Sequence, residues 1–497
     1  MAITLGLVEA VDDNGVYVSM PGSRGVLRGP YETTETVQPG QRVLLAQTDD
    51  GRQVVAGVLG EGRDVSVKAF GAKGDGTTDD TASVQAAIDA VAEDGGQVFF
   101  PAGTYRCNVT LRPKVALIGQ GVAVSVLKSV AGADQDVVQG VDFDTLTDKA
   151  YASGDILLGA RLSGLHNLTI DGDKATQSAG WGVRIWGCSL KFSDIQVQNC
   201  KDGGVWTEFT THDAATPDDL LESFFANVKV VDNDGDGWRW RGPHDSYMHD
   251  VVLANNDGWG IRGDRLDPNA LLTATRVNAW MNTSGSYDMD CQAHFHDCIA
   301  SGSTGVGVRF GEGTGNNRYH GAVFGHPTGI VARGDEVHLN VQGGTTSGTF
   351  LQIGVTGAGG SCGYLHAEVE AFDVGTAVDF QNAVGPCNVS ATVGGTVGTL
   401  QTGMSTFTAG GVINLMTASG SYVPADRFLY FGADRFQWAA GWAPLFPASN
   451  GVLLTKDASS TTVGAAGAAA ALPATPSAYW TVKDESGNSF KIPVYAV

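Results

Sequence analysis

The sequence predicts an all-β protein in which most of the chain winds into a stack of similar coils, and three observations lead to this fold class. Glycine supplies 69 of 497 residues, about twice its usual share of ~7%, and clear helical periodicity is rare. Short apolar runs separated by turn residues fill the first 60 residues. An apolar motif then recurs through the middle of the chain, which is typical of repeat architectures.

The overall charge excludes some classes of partner. The formal net charge is −22 and the isoelectric point about 4.7. This argues against binding to nucleic acid and to anionic membranes, because both need a basic surface. No stretch approaches the ~18 apolar residues of a membrane span, and we expect no secretory signal. The seven cysteines are odd in number and widely spread, so we expect buried thiols rather than disulfides.

Residues 1–62 are predicted to form a separate small barrel. Short apolar runs alternate with the turns "DDNG", "PGSRG", "QPGQ" and "DDGR", and they cover Ile3–Val11, Val16–Met20, Val43–Ala46 and Val54–Leu59. Short strands joined by tight turns favour a closed or nearly closed five-stranded barrel. This stretch resembles the OB-fold modules near the start of phage baseplate and spike proteins, which implies attachment to a tail. An OB-fold can also bind oligonucleotides, but the acidic balance disfavours that alternative.

One short α-helix is predicted over residues 78–92. The stretch "GAKGDGTTDDTASVQAAIDA" begins as a Gly/Asp-rich turn and changes to helical periodicity, with Thr78 or Asp79 as the expected cap. One apolar stripe follows from the spacing i, i+3, i+4, i+7, and it contains Val84, Ala87, Ile88 and Val91.

The segment around this helix carries a family resemblance. Residues 67–105, "VKAFGAKGDGTTDDTASVQAAIDAVAEDGGQVFFPAGTY", resemble the opening segment of the pectate-lyase-like right-handed parallel β-helices, a family that includes many phage tailspikes. The resemblance implies that the helix lies across the open N-terminal end of a β-helix over residues 63–400. A stack of coils needs such a cap, because its end otherwise exposes unpaired backbone and a bare core.

The repeat itself has the form apolar–x–(Asn/Asp)–apolar–x–apolar. Clear copies begin at Leu165, Phe192, Phe225, Met248 and Phe295, and weaker copies begin at Ala274, Tyr319, Tyr364 and Pro386. Asn and Asp suit a bend at the third position because they tolerate a left-handed backbone. Each copy runs through a polar loop into a glycine and a second strand, as in "GVRIWG" from Gly182. Each repeat is therefore predicted to form one coil.

Because side chains alternate between the faces of a strand, the second strands predict an inner and an outer set. The inner set is Val183, Ile185, Val205, Trp238, Trp240, Trp259, Ile261, Tyr287, Met289, Val306 and Val308. The first outer column is Arg184, Trp206, Arg239, Gly260, Asp288, Gly307 and Val331. The second outer column is Trp186, Glu208, Arg241, Arg262, Asp290, Arg309 and Arg333, with Asp264 just beyond Arg262.

The outer columns favour a carbohydrate-binding groove. We predict substrate contacts from aromatic faces and guanidinium groups, namely Trp186, Trp206, Arg239, Arg241 and Arg262. Glycoside hydrolysis needs two carboxyl groups ~5–5.5 Å apart for retention or ~6.5–9.5 Å apart for inversion, and stacked coils ~4.8 Å apart supply both. The candidate catalytic carboxylates are Glu208, Asp264, Asp288 and Asp290. The alternative is a structural ladder of opposite charges, which any solvated sheet face can use.

No metal or cofactor is expected. The cluster "DNDGDGW" at 232–238 lacks the terminal Glu of a calcium loop. In "CQAHFHDC", the repeat places Phe295 and Cys298 inside and His294 and His296 outside, so these side chains do not converge on a zinc ion. We recognise no catalytic signature of calcium-type pectate lyases or of polygalacturonases.

Two C-terminal regions are predicted beyond the coils. Residues 401–463 form an aromatic-rich β region, and residues 464–497 comprise an Ala/Pro linker and a terminal hairpin with its turn at Glu485–Asn488.

These expectations combine into a phage tail spike or fibre, a minor tail protein of the virion that engages host-surface glycan during adsorption. The resemblance implies a homotrimer docked to other tail or baseplate proteins through the N-terminal domain, made in the host cytoplasm. An alternative is an active depolymerase, either hydrolase or lyase, of capsule or cell-wall polysaccharide. A free bacterial pectinolytic enzyme is disfavoured, because a secreted enzyme would need a signal peptide and would not need the front module.

Overall fold

The structure of the protein is a computed structural model. It describes residues 64–402 apart from 148–158, 210–221, 244, 265–270, 312–314, 356–359 and 384, and, at the two ends, residues 3–12, 15–19, 27–32, 37, 39, 42–47, 53–58, 411–417, 427–431, 434–438, 478–483 and 489–494.

The N-terminal region is a five-stranded antiparallel sheet with the strand order β3-β2-β1-β4-β5. Its strands are β1 (Ile3–Asp12), β2 (Gly15–Ser19), β3 (Leu27–Tyr31), β4 (Arg42–Gln47) and β5 (Gln53–Val58). The Val55 N–H donates to the Glu32 carbonyl at 3.0 Å, so β5 approaches the end of β3 although the two are edge strands in the order. Val8, Val16 and Val18 are fully buried in a small core of this region.

The coil region begins at residue 64, and its first part includes the helix α1 (Thr81–Ala92). The strands of this first part are β6 (Asp64–Ser66), β7 (Asp75–Asp79), β8 (Gly96–Phe100), β9 (Gly103–Arg106), β10 (Val109–Leu111), β11 (Val115–Gly119), β12 (Ser125–Lys128) and β13 (Val138–Gly140). A second short helix, α2 (Phe143–Leu146), follows, and 3₁₀ turns occur at Val67–Phe70 and Lys174–Thr176.

The middle of the chain repeats a pair of strands in each coil. These strands are β14 (Gly164–Asp171), β15 (Trp181–Trp186), β16 (Lys191–Gln198), β17 (Gly203–Glu208), β18 (Phe224–Val231), β19 (Asp236–Arg241), β20 (Ser246–His249), β21 (Val252–Ala254), β22 (Trp259–Gly263), β23 (Leu271–Thr275), β24 (Asn278–Trp280), β25 (Gly285–Met289), β26 (Gln292–Ser301), β27 (Val306–Phe310), β28 (Asn317–Phe324) and β29 (Thr328–Ala332). Long strands that bend within one coil follow as β30 (Val337–Ile353), β31 (Leu365–Phe380) and β32 (Cys387–Thr402).

Each strand pairs in parallel with the equivalent strand of the next coil, so the predicted right-handed parallel β-helix is confirmed. We call the sheet formed by β14, β16, β18, β20, β23, β26, β28 and the first parts of β30–β32 the first sheet. The second sheet contains β15, β17, β19, β22, β25, β27 and β29 and continues into the last part of β30.

The bend in each first strand has the backbone conformation that the repeat predicts. The third position of the motif has φ near +55° at Asn167, Asp194, Asn227, Asp250 and Asp297. Left-handed backbone is costly for most residues and least so for Asn and Asp, which explains the residue choice. Arg276 occupies the same position in a weaker copy, with φ of 51°.

The interior is apolar and aromatic, with a short polar ladder at one corner. Phe192, Phe225 and Trp238 contact one another across two neighbouring coils, with ring centroids 4.8–6.1 Å apart. Asn233, Asn256 and Asn282 are fully buried, and each side-chain amide donates to the carbonyl of the next at 2.8 Å. Buried amides stabilise a coil only when they are hydrogen-bonded, and stacking identical residues provides the partners.

The capping helix is confirmed, but it starts later than predicted. Asp75 accepts from the amides of Thr77 and Thr78, and Asp75–Asp79 is a strand paired with β9, so Thr78 cannot begin a helix. Asp80 is the N-cap residue, and its carboxylate accepts from the Lys73 and Gly74 amides at 2.6 and 2.8 Å. The predicted apolar stripe of α1 is buried against the first coil.

The coil pattern continues beyond residue 400, where we expected it to fade. The strand β33 (Gly411–Thr417) pairs in parallel with β32 before β34 (Arg427–Phe431) and β35 (Asp434–Trp438) turn antiparallel. The predicted terminal hairpin is present as β36 (Ala478–Lys483) and β37 (Ser489–Val494). Its turn and the Ala/Pro linker lie outside the described residues.

Candidate functional site

The outward side chains of the second sheet form a continuous ladder. Register pairs place the following residues next to one another on consecutive coils, and we call them the outer ladder: Arg184, Trp206, Arg239, Arg262, Asp288 and Arg309. Their inward neighbours Val183, Val205, Trp238, Ile261, Tyr287 and Val308 are fully buried. The predicted alternation between inside and outside therefore places the ladder on one outer face.

The predicted order within the ladder was wrong by two residues in β22 and β27. We expected Gly260 beside Arg239 and Gly307 beside Asp288, whereas Arg262 and Arg309 occupy these places. Each strand is entered through a Gly-x-Gly sequence, Gly258–Gly260 or Gly305–Gly307, and we aligned the first glycine where the fold uses the second. A side chain at Gly260 would come within 2.6 Å of the Ser286 carbonyl, which is why a glycine stands there.

Trp259 and Val306, predicted to point inward, do not belong to the central core. Trp259 is 9% exposed and lies beneath the Arg309 guanidinium, 4.7 Å from the ring centre. Both residues begin their strands two positions before the first inward residue. Because the Trp259 ring stacks under the Arg309 guanidinium, it lies beside the outer ladder and adds an aromatic surface to it.

Asp264 connects three arginines of the second sheet. Its carboxylate lies 2.7 Å from Arg239, 3.3 Å from Arg262 and 3.8 Å from Arg241. These contacts hold the guanidinium groups in fixed positions. A bound acidic group would therefore meet a preorganised set of donors.

Asp288 and Arg309 form a second ion pair one coil further. Arg309 Nε donates to Asp288 Oδ1 at 2.6 Å, and a second guanidinium nitrogen contacts Oδ2. The hydrogen bond to Asp288 raises the pKa of Arg309. Asp290 is exposed and lies one coil above Asp264, because Gly263 pairs with Met289.

Four residues predicted for the site are instead buried, and Arg241 and Asp288, at 8% and 7% exposure, are two of them. The other two are Glu208 and Trp186. Glu208 is fully buried, where Arg241 donates to it at 2.8 Å and the Thr147 hydroxyl at 3.0 Å. Trp186 is 2% exposed and packs on Phe209, with ring centroids 4.7 Å apart. The expectation that both side chains face a polymer is corrected, since α2 and Thr147 cover this part of the outer face.

Trp206 remains half-buried beside this covered region. Arg239 lies 4.2 Å over its ring, while Phe143 and Trp181 meet it edge-on at 5.2 and 5.3 Å. The cluster presents aromatic and cationic surface together, which is the combination that sugar rings with acidic groups require.

Two further carboxylates were missed by the sequence prediction. Asp236 accepts from the Trp259 amide at 2.8 Å, and burial raises the pKa of its carboxyl although Arg262 and Arg239 oppose that shift. Asp136 lies 2.6 Å from Arg184, and burial likewise raises its pKa. The signal for Asp236 was its place two residues before the buried Trp238, in the cluster that we had assigned to turns.

Within the described ranges, no three His, Cys, Asp or Glu side chains converge as they would around a metal ion. In the same part of the chain, no helix is long and apolar enough to cross a bilayer. The described cysteines are buried and none of them forms a disulfide, and burial raises the pKa of thiols such as Cys200.

Comparison with known proteins gives matches over the coils. Residues 65–287, a little under half of the chain, match the family model "Rhamnogalacturonase A/epimerase, pectate lyase-like". Mannuronan C5-epimerase AlgE5 of Azotobacter vinelandii is 30% identical over 235 residues, which cover 40% of this chain and 22% of that protein. Alginate lyase 7 of the same organism is 35% identical over 119 residues, covering 22% of this chain and 13% of the lyase.

Solved structures with a similar fold include the N-terminal fragment of gene product 12 of bacteriophage phi29. It is 14% identical, with a TM-score of 0.46, and the alignment covers 76% of this chain and 73% of the fragment. The chain spans about a fifth or less of the two curated relatives named above.

Proposed function

We propose that the protein recognises an acidic surface glycan along the outer ladder. The observation that carries this proposal is the ladder itself, where the half-buried Trp206 ring and four guanidinium groups lie on successive coils of one sheet. Coils repeat every ~4.8 Å, so a linear polymer lying along the axis meets similar groups at each step.

The charge of the ligand is inferred from the guanidinium groups. Arg262 is 48% exposed and Arg309 35% exposed at their side chains, and guanidinium groups pair with carboxylates in a fixed fork geometry. Two relatives named above carry names that refer to mannuronan and alginate, which are acidic polysaccharides. Both facts support a carboxylated sugar as the ligand class.

We further propose that this recognition takes place on a phage tail spike or fibre. The N-terminal sequence resembles modules of baseplate and spike proteins, and the bond between Val55 and Glu32 supports a nearly closed barrel. In this proposal the barrel docks to other tail proteins, three chains assemble into one spike, and the β-helix meets the host glycan during adsorption.

Cleavage of the glycan is the second candidate function. Asp264 and Asp290 lie on neighbouring coils, about one strand spacing of ~4.8 Å apart, which is near the separation of a retaining glycosidase. The raised pKa of Asp236 supports a proton donor beside Asp264. A lyase would instead use the guanidinium groups to stabilise developing negative charge.

Incubation of the protein with a polyuronate and with host envelope polysaccharide separates these functions. New reducing ends identify a hydrolase, absorbance of an unsaturated sugar identifies a lyase, and binding without fragments identifies an adhesin. We expect Arg262→Gln to weaken binding about tenfold, the loss of roughly one charged hydrogen bond.

The matched control is Arg276→Gln. Arg276 is a 58% exposed arginine that is also paired with an aspartate, Asp250, but it lies at the bend of the first sheet. Equal affinities of the two variants and of the unmodified protein would contradict the proposed ladder site.

A further inference from the structure

The outward face of the first sheet concentrates the histidines of the chain. Seven of the ten histidines lie on two adjacent outward columns of this sheet, namely His166, His249, His294, His296, His320, His338 and His366. One column runs from His294 through Arg318 and His338 to His366 on consecutive coils. Exposed imidazoles are not needed to fill a core, so the clustering calls for another explanation.

The upper part of these columns forms an open groove of about 250 Å³. Core residues Phe295, Tyr319 and Leu339 form its floor, and polar side chains form its walls. The walls consist of His296, Arg318, His320, His338, His366 and Glu368, together with Asn340. This volume is slightly below the ~300–1,000 Å³ of typical small-molecule sites, which suits one sugar ring.

A local irregularity of the sheet coincides with this groove. The register between β26 and β28 shifts between Phe295 and Cys298, at the position of His296 and Asp297. Bulges often lie beside functional sites, where they re-aim side chains.

The charge of the groove changes sign with the protonation of its imidazoles. Three imidazoles contact carboxylates: His320 with Asp297 at 3.0 Å, His338 with Glu336 at 2.7 Å and His366 with Glu368 at 4.0 Å. Glu368 lines the groove, while Asp297 and Glu336 lie outside it in contact with its imidazoles. With four neutral imidazoles, Arg318 and these three carboxylates give a net charge of −2. Four protonated imidazoles give a net charge of +2. The number of imidazoles that carry a proton therefore decides whether this region attracts or repels a carboxylate.

His294 borders the groove without adding to this change. Its Nε2 lies 2.8 Å from the Asn316 carbonyl, and burial lowers its pKa. Among the described residues, no three of these side chains converge on a metal position. The imidazoles therefore act as separate charges along a surface.

An apolar platform on the same face indicates a saccharide ligand. Phe224 and Tyr247 are 47% and 42% exposed and stack with an interplanar angle of 8°. Tyr247 pairs with Thr273, and Thr273 pairs with His294, so the rings lie in the column of the groove, two coils away. Flat exposed rings pack against the apolar faces of sugars, whereas a small inorganic anion has no apolar face to pack on them.

We propose that this groove is a second ligand site, which binds a carboxylated sugar unit when its imidazoles are protonated. It lies on a different sheet from the outer ladder and does not depend on the ladder being a glycan site. The neighbouring rings allow the sugar chain to extend along the first sheet. The site makes binding stronger at pH 5.5 than at pH 7.5, because the groove attracts a carboxylate only in its protonated form.

The test uses the full chain carrying Arg262→Gln, which weakens the outer ladder, with trigalacturonate as the probe and maltotriose as the neutral control. Calorimetry is expected to show binding of trigalacturonate at least about tenfold tighter at pH 5.5 than at pH 7.5. Arg318→Gln and His338→Gln should each reduce this binding severalfold, while His249→Gln on the same face leaves it unchanged. Thermal unfolding confirms that these exposed substitutions keep the fold.

Histidine footprinting with diethylpyrocarbonate at pH 6.0 localises the ligand. Trigalacturonate should protect His338 and His366 severalfold and leave His249 as reactive as before. Absence of protection, equal affinity at both pH values or equal binding of maltotriose would overturn the proposal. Protection that depends on protein concentration alone would overturn it too, because a second copy of the chain would then occupy the groove. If trigalacturonate protects the groove histidines but substitutions in the outer ladder leave glycan binding unchanged, only the proposed function of the outer ladder is refuted.

Discussion

The two outward faces of the β-helix use charge in different ways. On the second sheet, arginines are held by aspartates, and the buried Glu208–Arg241 pair lies beneath them. On the first sheet, charge resides on exposed imidazoles that pair with single carboxylates. Guanidinium groups stay charged at every physiological pH, whereas imidazoles do not. Under the proposal made above, one scaffold presents one surface of fixed charge and one whose charge depends on protonation.

The largest effect is expected from breaking the buried pair under the ladder. Arg241→Met leaves Glu208 without its main partner in a site with no exposed surface, and removing one partner of a buried pair costs about 3–5 kcal/mol. Urea unfolding measures the loss. The double variant Glu208→Gln/Arg241→Met should recover most of it, and a double variant as unstable as the single one would show that the pair itself is not the cause.

The polar ladder inside the coils gives the next largest effect. Asn256→Ala removes the acceptor of Asn233 and the donor to Asn282, both at 2.8 Å, and leaves buried polar atoms unsatisfied at about 1–3 kcal/mol each. We expect a cooperative fall in the unfolding temperature measured by calorimetry. Asn340→Ala, an exposed asparagine of the first sheet, serves as the control and should change the unfolding temperature little.

Acid sensitivity of stability distinguishes buried from exposed imidazoles. His326 is 1% exposed, and burial lowers its pKa, so the folded state holds it neutral. The unfolded state binds more protons as the pH falls below ~6.5, and folding loses stability there. His326→Asn should flatten this fall in urea titrations between pH 7 and 5. His249→Asn, which removes an exposed imidazole, is the control variant. A slope that flattens equally in both variants would show that the burial of His326 is not the cause.

The smallest effect on stability is expected at the exposed end of the ladder. Arg309→Gln breaks the pair with Asp288, in which the Arg309 side chain is 35% exposed but that of Asp288 only 10%. The cost should therefore lie above the ~0–1 kcal/mol of a surface pair and below the ~3–5 kcal/mol of a fully buried one. The free energy of glycan binding should nevertheless fall by more than the free energy of unfolding. The loss of affinity should be equal at pH 5.5 and at pH 7.5, because no imidazole takes part in this ion pair. A loss of glycan affinity that differs between the two pH values would contradict the difference in charge that we assign to the two faces.

Local sequence determined several features without ambiguity. The i, i+3, i+4, i+7 spacing predicted the buried stripe of α1, and the Asn/Asp position predicted the left-handed bend of each coil. Alternation predicted which side chains of β15–β29 face outward, with Trp259 and Val306 as exceptions at strand starts. Each of these properties depends on residues within one turn or one strand.

Tertiary structure decided which residues became neighbours. A shift of two residues preserves alternation, so the sequence could not distinguish Gly260 from Arg262 as the neighbour of Arg239. Burial of Glu208 depends on Thr147, which is 61 residues away in sequence. The histidine groove likewise needs strands from four coils to be stacked in one register. Loop lengths and steric contacts between coils set these relations, and neither is encoded within a single repeat.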